Sequence, residues 1–530
     1  MTERIADAVV IGAGPNGLVA ANALADAGWD VMLLEAGDHV GGAVSSAEVT
    51  APGFVNDLFS AFYPLAAASP VIRDLHLEHH GLEWCRAPSV LTHVLPDDRS
   101  VTLCHDPADT AASVEALGAG DGDAWLRMFA QWQQIRDPLL DALFTPFPPL
   151  GAAARMARVL RTAGLLDFVR LALTPVRRLG QEQFSGEGAP LLLTGNAMHS
   201  DLTPDGAGSG LFGWLLAMLG QDVGFPVPRG GAGQLAAALL RRAESLGVEV
   251  VTSARVTSIR VSNGAATGVV LNDGTLVRAR RAVLADVSAP SLYRDLLPDG
   301  ATPDKILRDL GHFQWDSATL KLNWALSRPI PWTSAGAAGS GTVHLGVDSD
   351  GFVDVAADLS VGRIPRHPFV LLGQMTTADP TRSPAGTESA WAYTHLPQGI
   401  PLTADIIAEH ADRVESLVES AARGFGSAMV GRHVQSPADL ASADANLVDG
   451  AINGGTSGLH QQLVFRPTPG LGRPETPIGR LYLASAAAHP GGGVHGACGW
   501  NAARAALSAD GRSGAVHRAL VSTAWGRLLR

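Results

Sequence analysis

Cysteine is scarce in this chain of 530 residues, which has only Cys85, Cys104 and Cys498. These positions form no C-x-x-C pair, no metal-ligand spacing and no disulfide framework. The sequence therefore predicts no metal site, and it fits a reducing compartment.

Lysine is also scarce, with only Lys305 and Lys321, and acidic residues outnumber basic ones by 51 to 39. The resulting formal charge is −12, and no basic block accompanies it. Nucleic acid is therefore not an expected partner.

Long apolar runs are missing as well: no stretch of about 18 uninterrupted apolar residues occurs, so no membrane-spanning helix is expected. The amino-terminal sequence MTERIADAVVIG enters a predicted strand almost at once, which leaves no room for a targeting peptide. We expect a cytoplasmic protein, either soluble or attached to a membrane surface. With 46% apolar and 17% charged residues, it should be well packed, and its length predicts at least two domains.

Glycine, in contrast, is abundant, and the pattern G-x-G-x-x-G occurs as GAGPNG (12–17), GSGLFG (208–213) and GGGVHG (491–496). A pyrophosphate site needs a strand, a tight turn and a helix whose first N–H groups face the phosphates. GAGPNG meets this requirement, because an apolar strand precedes it and a helix of small residues follows. Glu35 then ends the next predicted strand, where a carboxylate can accept hydrogen bonds from a ribose. This βαβ unit predicts dinucleotide binding.

The other two strings stand in different surroundings. GSGLFG follows turn residues and precedes an apolar helix, which predicts a loop leading into that helix. GGGVHG lies between a predicted strand (480–484) and an Ala-rich helix (498–507), without a second strand and acid. Such a helix start can hold another anionic or electron-rich part of the same cofactor. The alternative is a helix that only docks through its glycines.

A second glycine pair, Gly41-Gly42, follows Glu35 by six residues. The order G-x-G-x-x-G, Glu, G-G resembles the FAD-binding pattern of the amine oxidase and carotenoid desaturase superfamily. PRGGAGQL (228–235) is similar to the P-x-G-G-x-x-x-L segment of that group, and Val256 matches the strand whose backbone holds the adenine. HPGGGVHG (489–496) resembles the ending of phytoene desaturase-like oxidoreductases, the carotenoid and retinoid group. Within that group the chain looks most like the branch named pyridine nucleotide-disulfide oxidoreductase domain-containing protein 2.

The resemblance implies an α/β fold, with a Rossmann-like FAD-binding domain and an α+β substrate domain, and FAD as the cofactor. The FAD domain would be discontinuous (1–75, 225–290 and 475–530), and the substrate domain would comprise 76–224 and 291–474. Hairpin turns at Asn263-Gly264 and Asn272-Asp273-Gly274 predict a small sheet packed beside the FAD domain. The expected cofactor contacts are Gly12, Ala13, Gly14, Pro15, Asn16, Gly17, Glu35, Ala36, Gly41, Gly42, Ala43, Val256, Gly492, Gly493 and Val494.

Three residues are candidates for chemistry. Lys321 is a lone lysine on an apolar predicted strand, which is costly unless it is paired or functional. In flavin oxidases that the chain resembles, a lysine is hydrogen-bonded through water to flavin N5; a buried ion pair or an exposed strand end are the alternatives. His489 and His495 flank the third glycine string, where each could contact flavin or substrate or could only order the loop.

Residues 150–179 combine many leucines with arginines at 155, 158, 161, 170, 177 and 178, against one acid, Asp167. An amphipathic basic helix of this type can lie on anionic lipid. A peripheral membrane contact is therefore one expectation, and an ordinary surface helix pair near the substrate entrance is the other.

The leading functional hypothesis is an FAD-dependent oxidoreductase that desaturates an apolar small molecule by hydride transfer to flavin N5. The alternatives are an amine oxidase-like flavoprotein and, on the same fold, a flavin-free carrier of prenyl groups or lipids.

Overall fold

The computed structural model describes residues 3–529, which form two large β-sheets surrounded by helices. The first sheet is mostly parallel, and its strands in spatial order are Val256–Ser262, Ala265–Leu271, Leu276–Ala285, Glu3–Ile11, Val31–Leu34 and Glu249–Val251, with Leu481–Leu483 paired to Leu276–Ala285. Val9 and Val10 are fully buried, as expected for a central parallel strand covered on both faces.

One sequence-based expectation about this sheet was wrong. The hairpins at Asn263-Gly264 and Asn272-Asp273-Gly274 form where expected, but their strands continue the first sheet and do not make a separate one. The reason is the length of strand Leu276–Ala285, which pairs antiparallel with Ala265–Leu271 and parallel with Glu3–Ile11.

The second sheet is mostly antiparallel. Its strands in spatial order are Met429–Gln435, Ala318–Leu326, Glu388–Leu396, Val370–Gln374, Ser340–Leu345, Ser89–Val94 and Ser100–Leu103. Every residue of Ala318–Leu326 is buried, because other strands pair with both of its edges and helices cover the sheet. Two short antiparallel pairs complete the strands, Ser46–Ala47 with Asn56–Asp57 and Trp84–Cys85 with Val227–Pro228.

Helices connect and cover the sheets. The longer ones are Pro15–Asp26, Pro107–Glu115, Asp121–Phe144, Leu150–Leu173, Val176–Gln183, Gly188–Met198, Ser209–Val223, Gly233–Ser245, Ser349–Ser360, Ala404–Ala421, Ala497–Asp510 and Gly514–Leu528. The shorter ones are Pro64–Ala68, Pro70–Asp74, Asp304–Asp309, Ala335–Ala338, Met375–Ala378, Phe425–Ala428 and Pro437–Ala443. The helix predicted after GSGLFG is confirmed, but the string itself is not a loop: Gly208 is the N-cap, and residues 209–213 already belong to helix Ser209–Val223.

The two ends of the chain pack against each other. Helix Pro15–Asp26 (the opening helix) lies on helix Ala497–Asp510 (the closing helix), and a Cβ on Gly499 would stand 1.9 Å from the backbone oxygen of Asn16. Only glycine permits this approach. Leu18, Val19 and Leu24 of the opening helix are fully buried, and each contributes about 2 kcal/mol to stability by leaving water.

The predicted α/β fold class is confirmed. The strands of the first sheet fall within the three segments assigned to the FAD domain, and those of the second sheet fall within the substrate segments. The precise domain boundaries stay a prediction. Within residues 3–529, no helix has the length and apolar character needed to cross a membrane.

Candidate active site

The first glycine string forms a closed turn between strand Glu3–Ile11 and the opening helix. The backbone N–H of Gly17 donates to Asp286 Oδ2 at 2.7 Å, and a Cβ on Gly17 would lie 2.0 Å from the oxygen of Gly12. Burial raises the pKa of Asp286 to about 8, and the nearby carboxylates of Asp444 and Glu35 add to this rise. Asp286, which directly follows strand Leu276–Ala285 and is distant in sequence, thus stabilises the turn.

Glu35 lies at the end of the second strand, as predicted. Its carboxylate accepts hydrogen bonds from the N–H of Ala13 at 2.7 Å and of Gly37 at 2.8 Å. Ala36, the next residue in the chain, is exposed. The segment leading to Val256 lies alongside, since Ala254 N–H donates to the backbone oxygen of Glu35 at 2.8 Å. The expected ribose-binding and adenine-binding residues are therefore neighbours.

The second glycine pair folds onto the first turn. Gly41 N–H donates to the backbone oxygen of Ala13 at 2.9 Å. Within residues 3–529, the N–H groups of Gly14, Gly42 and Ala43 donate to no protein acceptor. Free backbone donors grouped at a helix N-terminus are suited to phosphate oxygens.

The third string forms a loop, Gly491–Gly496 (the closing loop), that precedes the closing helix. The N–H groups of Gly492, Gly493 and Val494 likewise have no acceptor in the described part of the chain. Gly496 contacts Val19 of the opening helix, so the closing loop stands beside the first turn. Two sets of free donors, one at each turn, fit the pyrophosphate and a second part of an extended dinucleotide such as FAD.

Sequence reasoning missed Arg466, which anchors the closing loop. Arg466 is 2% exposed, and within residues 3–529 its guanidinium donates only to backbone oxygens, those of Asn453, Gly454, Gly455, Thr456 and Ala486. Burial lowers the pKa of this group to about 10. Arg466 therefore ties the segment before the closing loop to a second loop around Asn453.

Asp316, also missed, holds that second loop from the other side. Its carboxylate accepts from the N–H groups of Ile452 at 2.6 Å, Asn453 at 2.8 Å and Gly455 at 3.2 Å. Burial, together with the nearby Asp201, raises the pKa of Asp316 to about 6. No local pattern in the sequence marks either residue, because their partners lie on other segments.

Lys321 is buried on its strand, which excludes the alternative of an exposed strand end. Its ammonium donates to the backbone oxygens of Asp57 at 2.6 Å and Phe59 at 2.8 Å and lies 5.1 Å from the centre of the Trp391 ring. Burial lowers the pKa of Lys321 to about 7, and the nearby Arg382 contributes to this. No ion pair is formed by Lys321 in residues 3–529.

A buried ion pair lies beside Lys321. Arg382 makes a bidentate contact with Asp57, at 3.0 and 2.7 Å, and contacts Asp379 at 3.2 Å. These carboxylates also accept from Ala232 N–H and Gly230 N–H in the P-x-G-G segment. Arg382, Asp57 and Asp379 together link the predicted FAD-binding segments to the second sheet.

The two predicted histidines differ. His489 Nε2 donates to the backbone oxygen of Thr145 at 3.2 Å, a contact that orders the loop. His495 Nδ1 accepts from Ala497 N–H at 3.0 Å, so its proton is on Nε2, which has no partner in the described chain. Burial lowers the pKa of each to about 4, so both are neutral near pH 7.

A cavity of about 190 Å³ opens beside the closing loop. Its wall is largely apolar and is formed by Phe62, Pro64, Leu65, Leu143, Phe212, Leu215, Leu216, Phe225, Pro490 and Val494. Its other lining residues are Tyr63, Asn196, His199, Ser200, Asn453, Ser457, Gly492, Gly493 and His495. In residues 3–529, no group of three or more His, Cys, Asp or Glu side chains is arranged to hold a metal ion.

The residues of the opening and closing turns would hold an FAD, and the cavity lies beside the closing loop. The individual cofactor contacts stay a prediction, as do the catalytic roles of Lys321, His489 and His495. When bound, FAD accepts a hydride at N5. The protein groups around it supply hydrogen-bond donors, exclude water and orient the substrate.

Comparison with known proteins agrees with this geometry. The chain is 29% identical to pyridine nucleotide-disulfide oxidoreductase domain-containing protein 2 of Rattus norvegicus over 94% of this chain and 92% of that protein. It is 24% identical to one of the subunits of limonene dehydrogenase from Castellaniella defragrans over 94% of each chain. A crystal structure of an oxidoreductase from Methanosarcina mazei shares the fold, with a TM-score of 0.64 at 16% identity, covering 96% of this chain and 100% of that one.

The predicted resemblance and the predicted cofactor are thereby confirmed. Residues 16–507 match the model of the family described as flavin containing amine oxidoreductase. This match covers the second sheet, every strand of the first sheet except Glu3–Ile11, the closing loop and the cavity. The chain therefore belongs to the flavin containing amine oxidoreductase family and is an FAD-dependent oxidoreductase.

Proposed function

We propose that this oxidoreductase dehydrogenates an apolar small molecule bound in the cavity beside the closing loop. The observation that carries the proposal is the cavity wall, in which aromatic and aliphatic side chains predominate next to the glycines expected to face the flavin. Such a wall favours an apolar skeleton and excludes water from the reacting bond. Limonene, which gives one relative its name, is a molecule of this kind.

The same wall argues against an amine substrate. No aspartate or glutamate from the described residues lines the cavity. An alkylammonium ion would lose its hydration there without gaining a carboxylate, which is costly. The flavin-free carrier is disfavoured by the free N–H donors at both glycine turns, which a carrier has no reason to keep.

For the chemistry, Lys321 and His495 are the best-placed of the predicted residues. His495 lines the cavity with a free Nε2–H. Lys321 holds the segment 57–59, and the adjacent Ser60 N–H donates to the backbone oxygen of Ala43 beside the second glycine pair. We assign His495 to contact with flavin or substrate, Lys321 to the flavin side of the site, and His489 to loop ordering.

Anaerobic reduction of the purified protein tests the function. Limonene, carvone and perillyl alcohol represent apolar substrates, and putrescine and cyclohexylamine represent amines. We expect a yellow protein that releases FAD on denaturation and is bleached by at least one of the terpenoids. Bleaching by the amines alone would favour the amine oxidase alternative, and a colourless, flavin-free preparation would favour the carrier.

A substitution in the cavity wall tests whether flavin bleaching depends on the cavity. Leu216→Glu places a carboxylate in the lining and should abolish bleaching while FAD content is kept. Leu246→Glu is the matched control, because Leu246 is 41% exposed and outside the cavity lining. Equal bleaching rates in the two variants would contradict the assignment of the cavity.

We also propose that the protein is cytoplasmic and contacts membranes through helix Leu150–Leu173. Leu150, Leu166 and Leu173 on this helix are 73%, 66% and 57% exposed. The neighbouring helix Asp121–Phe144 carries Leu143 of the cavity wall, so this face stands near a route for apolar substrate.

Most of the arginines in segment 150–179 are paired with acidic residues in the structure. Arg155 pairs with Asp141, Arg170 and Arg178 pair with Glu182, and Arg177 contacts Asp350. Within residues 3–529, Arg158 and Arg161 remain without an ion pair, and these two would meet lipid phosphates.

Co-sedimentation with vesicles tests the contact. We expect binding to vesicles rich in phosphatidylglycerol, and loss of binding in a variant that combines Arg158→Glu, Arg161→Glu and Leu166→Glu. Leu520→Glu is the control, because Leu520 is equally exposed, at 67%, on helix Gly514–Leu528. Binding that survives the triple change would exclude this face.

A further inference from the structure

The cavity has a polar region where helix Gly188–Met198 (the cavity helix) ends. Asn196, in its last turn, and His199, directly after it, both line the cavity. Asn196 is fully buried; its Nδ2 donates to Leu192 O at 2.8 Å, and its Oδ1 has no partner in residues 3–529. This polar region is on an element that carries none of the predicted cofactor contacts.

His199 is held by a second histidine. Its Nε2 lies 2.7 Å from Nε2 of His344, so one of these nitrogens donates and the other accepts. Burial lowers the pKa of His199 to about 3 and also lowers that of His344, so each ring is neutral near pH 7. Each ring then carries one N–H.

The surroundings of His344 decide which ring donates. His344 is fully buried, and its Nδ1 has no partner in the described chain. That nitrogen faces Gly195, where a Cβ would be only 2.3 Å away. An unpaired buried N–H is costlier and rarer than an unpaired lone pair, so the proton of His344 belongs on Nε2. His344 donates to His199, and the proton of His199 is therefore on Nδ1.

The cavity lining contains neutral hydrogen-bond donors. His199 Nδ1–H has no hydrogen-bond acceptor in residues 3–529. Asn453 Nδ2 and His495 Nε2 are also free donors in the lining, and no carboxylate from the described residues accompanies them. His495 and Asn453 border the closing loop, so of these three nitrogen donors His199 is the one that lies on a different element, away from that loop.

We propose that His199 Nδ1–H binds a carbonyl or hydroxyl oxygen of the substrate, so that the enzyme takes an oxygenated apolar molecule in preference to the bare hydrocarbon. The phenylalanine and leucine side chains of the wall hold the carbon skeleton, and His344 is a positioning residue that fixes the tautomer of His199. This inference rests on the proposed dehydrogenation of an apolar molecule in the same cavity.

Isothermal titration calorimetry on the FAD-loaded protein tests the preference with two matched pairs. The pairs are limonene with carvone, and bicyclohexyl with 2-cyclohexylcyclohexanone; each ketone adds one oxygen to the skeleton of its partner. We expect the wild type to bind the ketone of at least one pair about tenfold more tightly, the effect of one hydrogen bond to an otherwise unpaired donor.

Variants assign the preference to His199. His199→Leu should bind ketone and hydrocarbon within about twofold of each other, and His199→Gln, whose amide can still donate, should recover part of the preference. Phe212→Leu changes the same cavity without changing a donor, so it should weaken both ligands and keep their ratio. Retained FAD content shows that each variant is folded.

Two results would overturn the proposal: no ketone preference in the wild type for either pair, absence of binding included, or a preference that persists in His199→Leu. Failure of the proposed function has a different signature. Anaerobic bleaching by amines alone, or a flavin-free protein, would refute the dehydrogenation independently of the calorimetric ratio.

Discussion

The turn at Gly12–Gly17 and the closing loop at Gly491–Gly496 share the pattern G-x-G-x-x-G but are stabilised in different ways. The first turn is closed by a carboxyl group, that of Asp286, which accepts from Gly17 N–H. The closing loop is anchored by a cation, Arg466, which donates to five backbone oxygens on the segments beside it. In both cases the anchoring group is buried and comes from outside the glycine string.

The difference shows what the pattern can and cannot specify. At the first turn the glycines are required by close backbone approach, because the oxygen of Gly12 occupies the place of a side chain on Gly17. At the closing loop, Gly493 faces Leu65 and the cavity. The same string therefore packs a helix onto a sheet in one place and borders a substrate cavity in the other.

Removing the cation should have the largest effect. Arg466→Met leaves four backbone oxygens without a donor in the described chain, and that of Thr456 keeps only Gln462 Nε2 at 3.4 Å, so the free energy of unfolding should fall by about 4 kcal/mol, measured by urea denaturation. Arg73→Met is the control, because Arg73 is 70% exposed and pairs with Asp74, which is 65% exposed; it should cost less than about 1 kcal/mol. Similar losses in both variants would show that Arg466 is not an anchor.

Adding a side chain inside the first turn should have the next largest effect. Gly17→Ala puts a methyl group 2.0 Å from the oxygen of Gly12, which should cost about 3 kcal/mol of stability and prevent FAD retention. Gly526→Ala is the matched control, because Gly526 also lies in a helix but no atom of the described residues lies within 4 Å of the added carbon. It should keep FAD and raise stability by up to about 1 kcal/mol, since alanine favours the helix. A yellow Gly17→Ala protein would contradict the close-approach explanation.

The sequence predicts the first turn well and the anchoring groups poorly, for a physical reason. Strand, turn, helix and Glu35 follow one another within one contiguous stretch, so each is visible in the local pattern. Asp286 meets Gly17 across 269 positions, and His199 meets His344 across 145. A lone Asp, Arg or His carries no periodicity, so only the folded chain shows which groups it faces.

Two features that the sequence did not reveal have the same origin. The pairing of strand Leu276–Ala285 with strands on both sides merged an expected small sheet into the first one. The acids that neutralise the arginines of helix Leu150–Leu173 come mostly from other helices, which composition within 150–179 could not reveal. Local patterns were reliable for elements, whereas pairing between elements required the structure.

The carboxyl group of Asp286 at the first turn should make the free energy of unfolding depend on pH, whereas Arg466 at the closing loop should not. The pKa of Asp286 is raised in the folded state to about 8 from 3.8, so folded protein binds this proton more tightly than unfolded protein does. Its stabilising contribution is complete below pH 3.8 and is lost as the pH rises toward 8.

Asp286→Asn should remove this dependence, so between pH 5 and 7 wild type should lose up to about 1.4 kcal/mol per pH unit relative to the variant. Urea denaturation at several pH values measures the difference in the free energy of unfolding between the two proteins. The contributions of the other buried acids are the same in both and cancel in this difference. Asp97→Asn, at an exposed turn, should follow the wild-type profile. Parallel profiles for wild type and Asp286→Asn would show that this carboxyl ionises normally.

The smallest effect should come from Glu35, which serves the first turn without closing it. Glu35→Gln keeps an oxygen for Ala13 N–H but loses the charge, and charge-assisted hydrogen bonds are about twice as strong as neutral ones. We expect about tenfold weaker FAD binding in a fluorescence titration, with less than about 1 kcal/mol change in the free energy of unfolding. Glu48→Gln, whose carboxylate accepts from the N–H of the exposed Gly53, should leave FAD affinity unchanged. Asp286 stabilises the turn, whereas Glu35 faces the expected ribose, so Glu35→Gln should lower FAD affinity without lowering the free energy of unfolding. A large loss of stability in Glu35→Gln would mean that Glu35, like Asp286, serves only to hold the backbone.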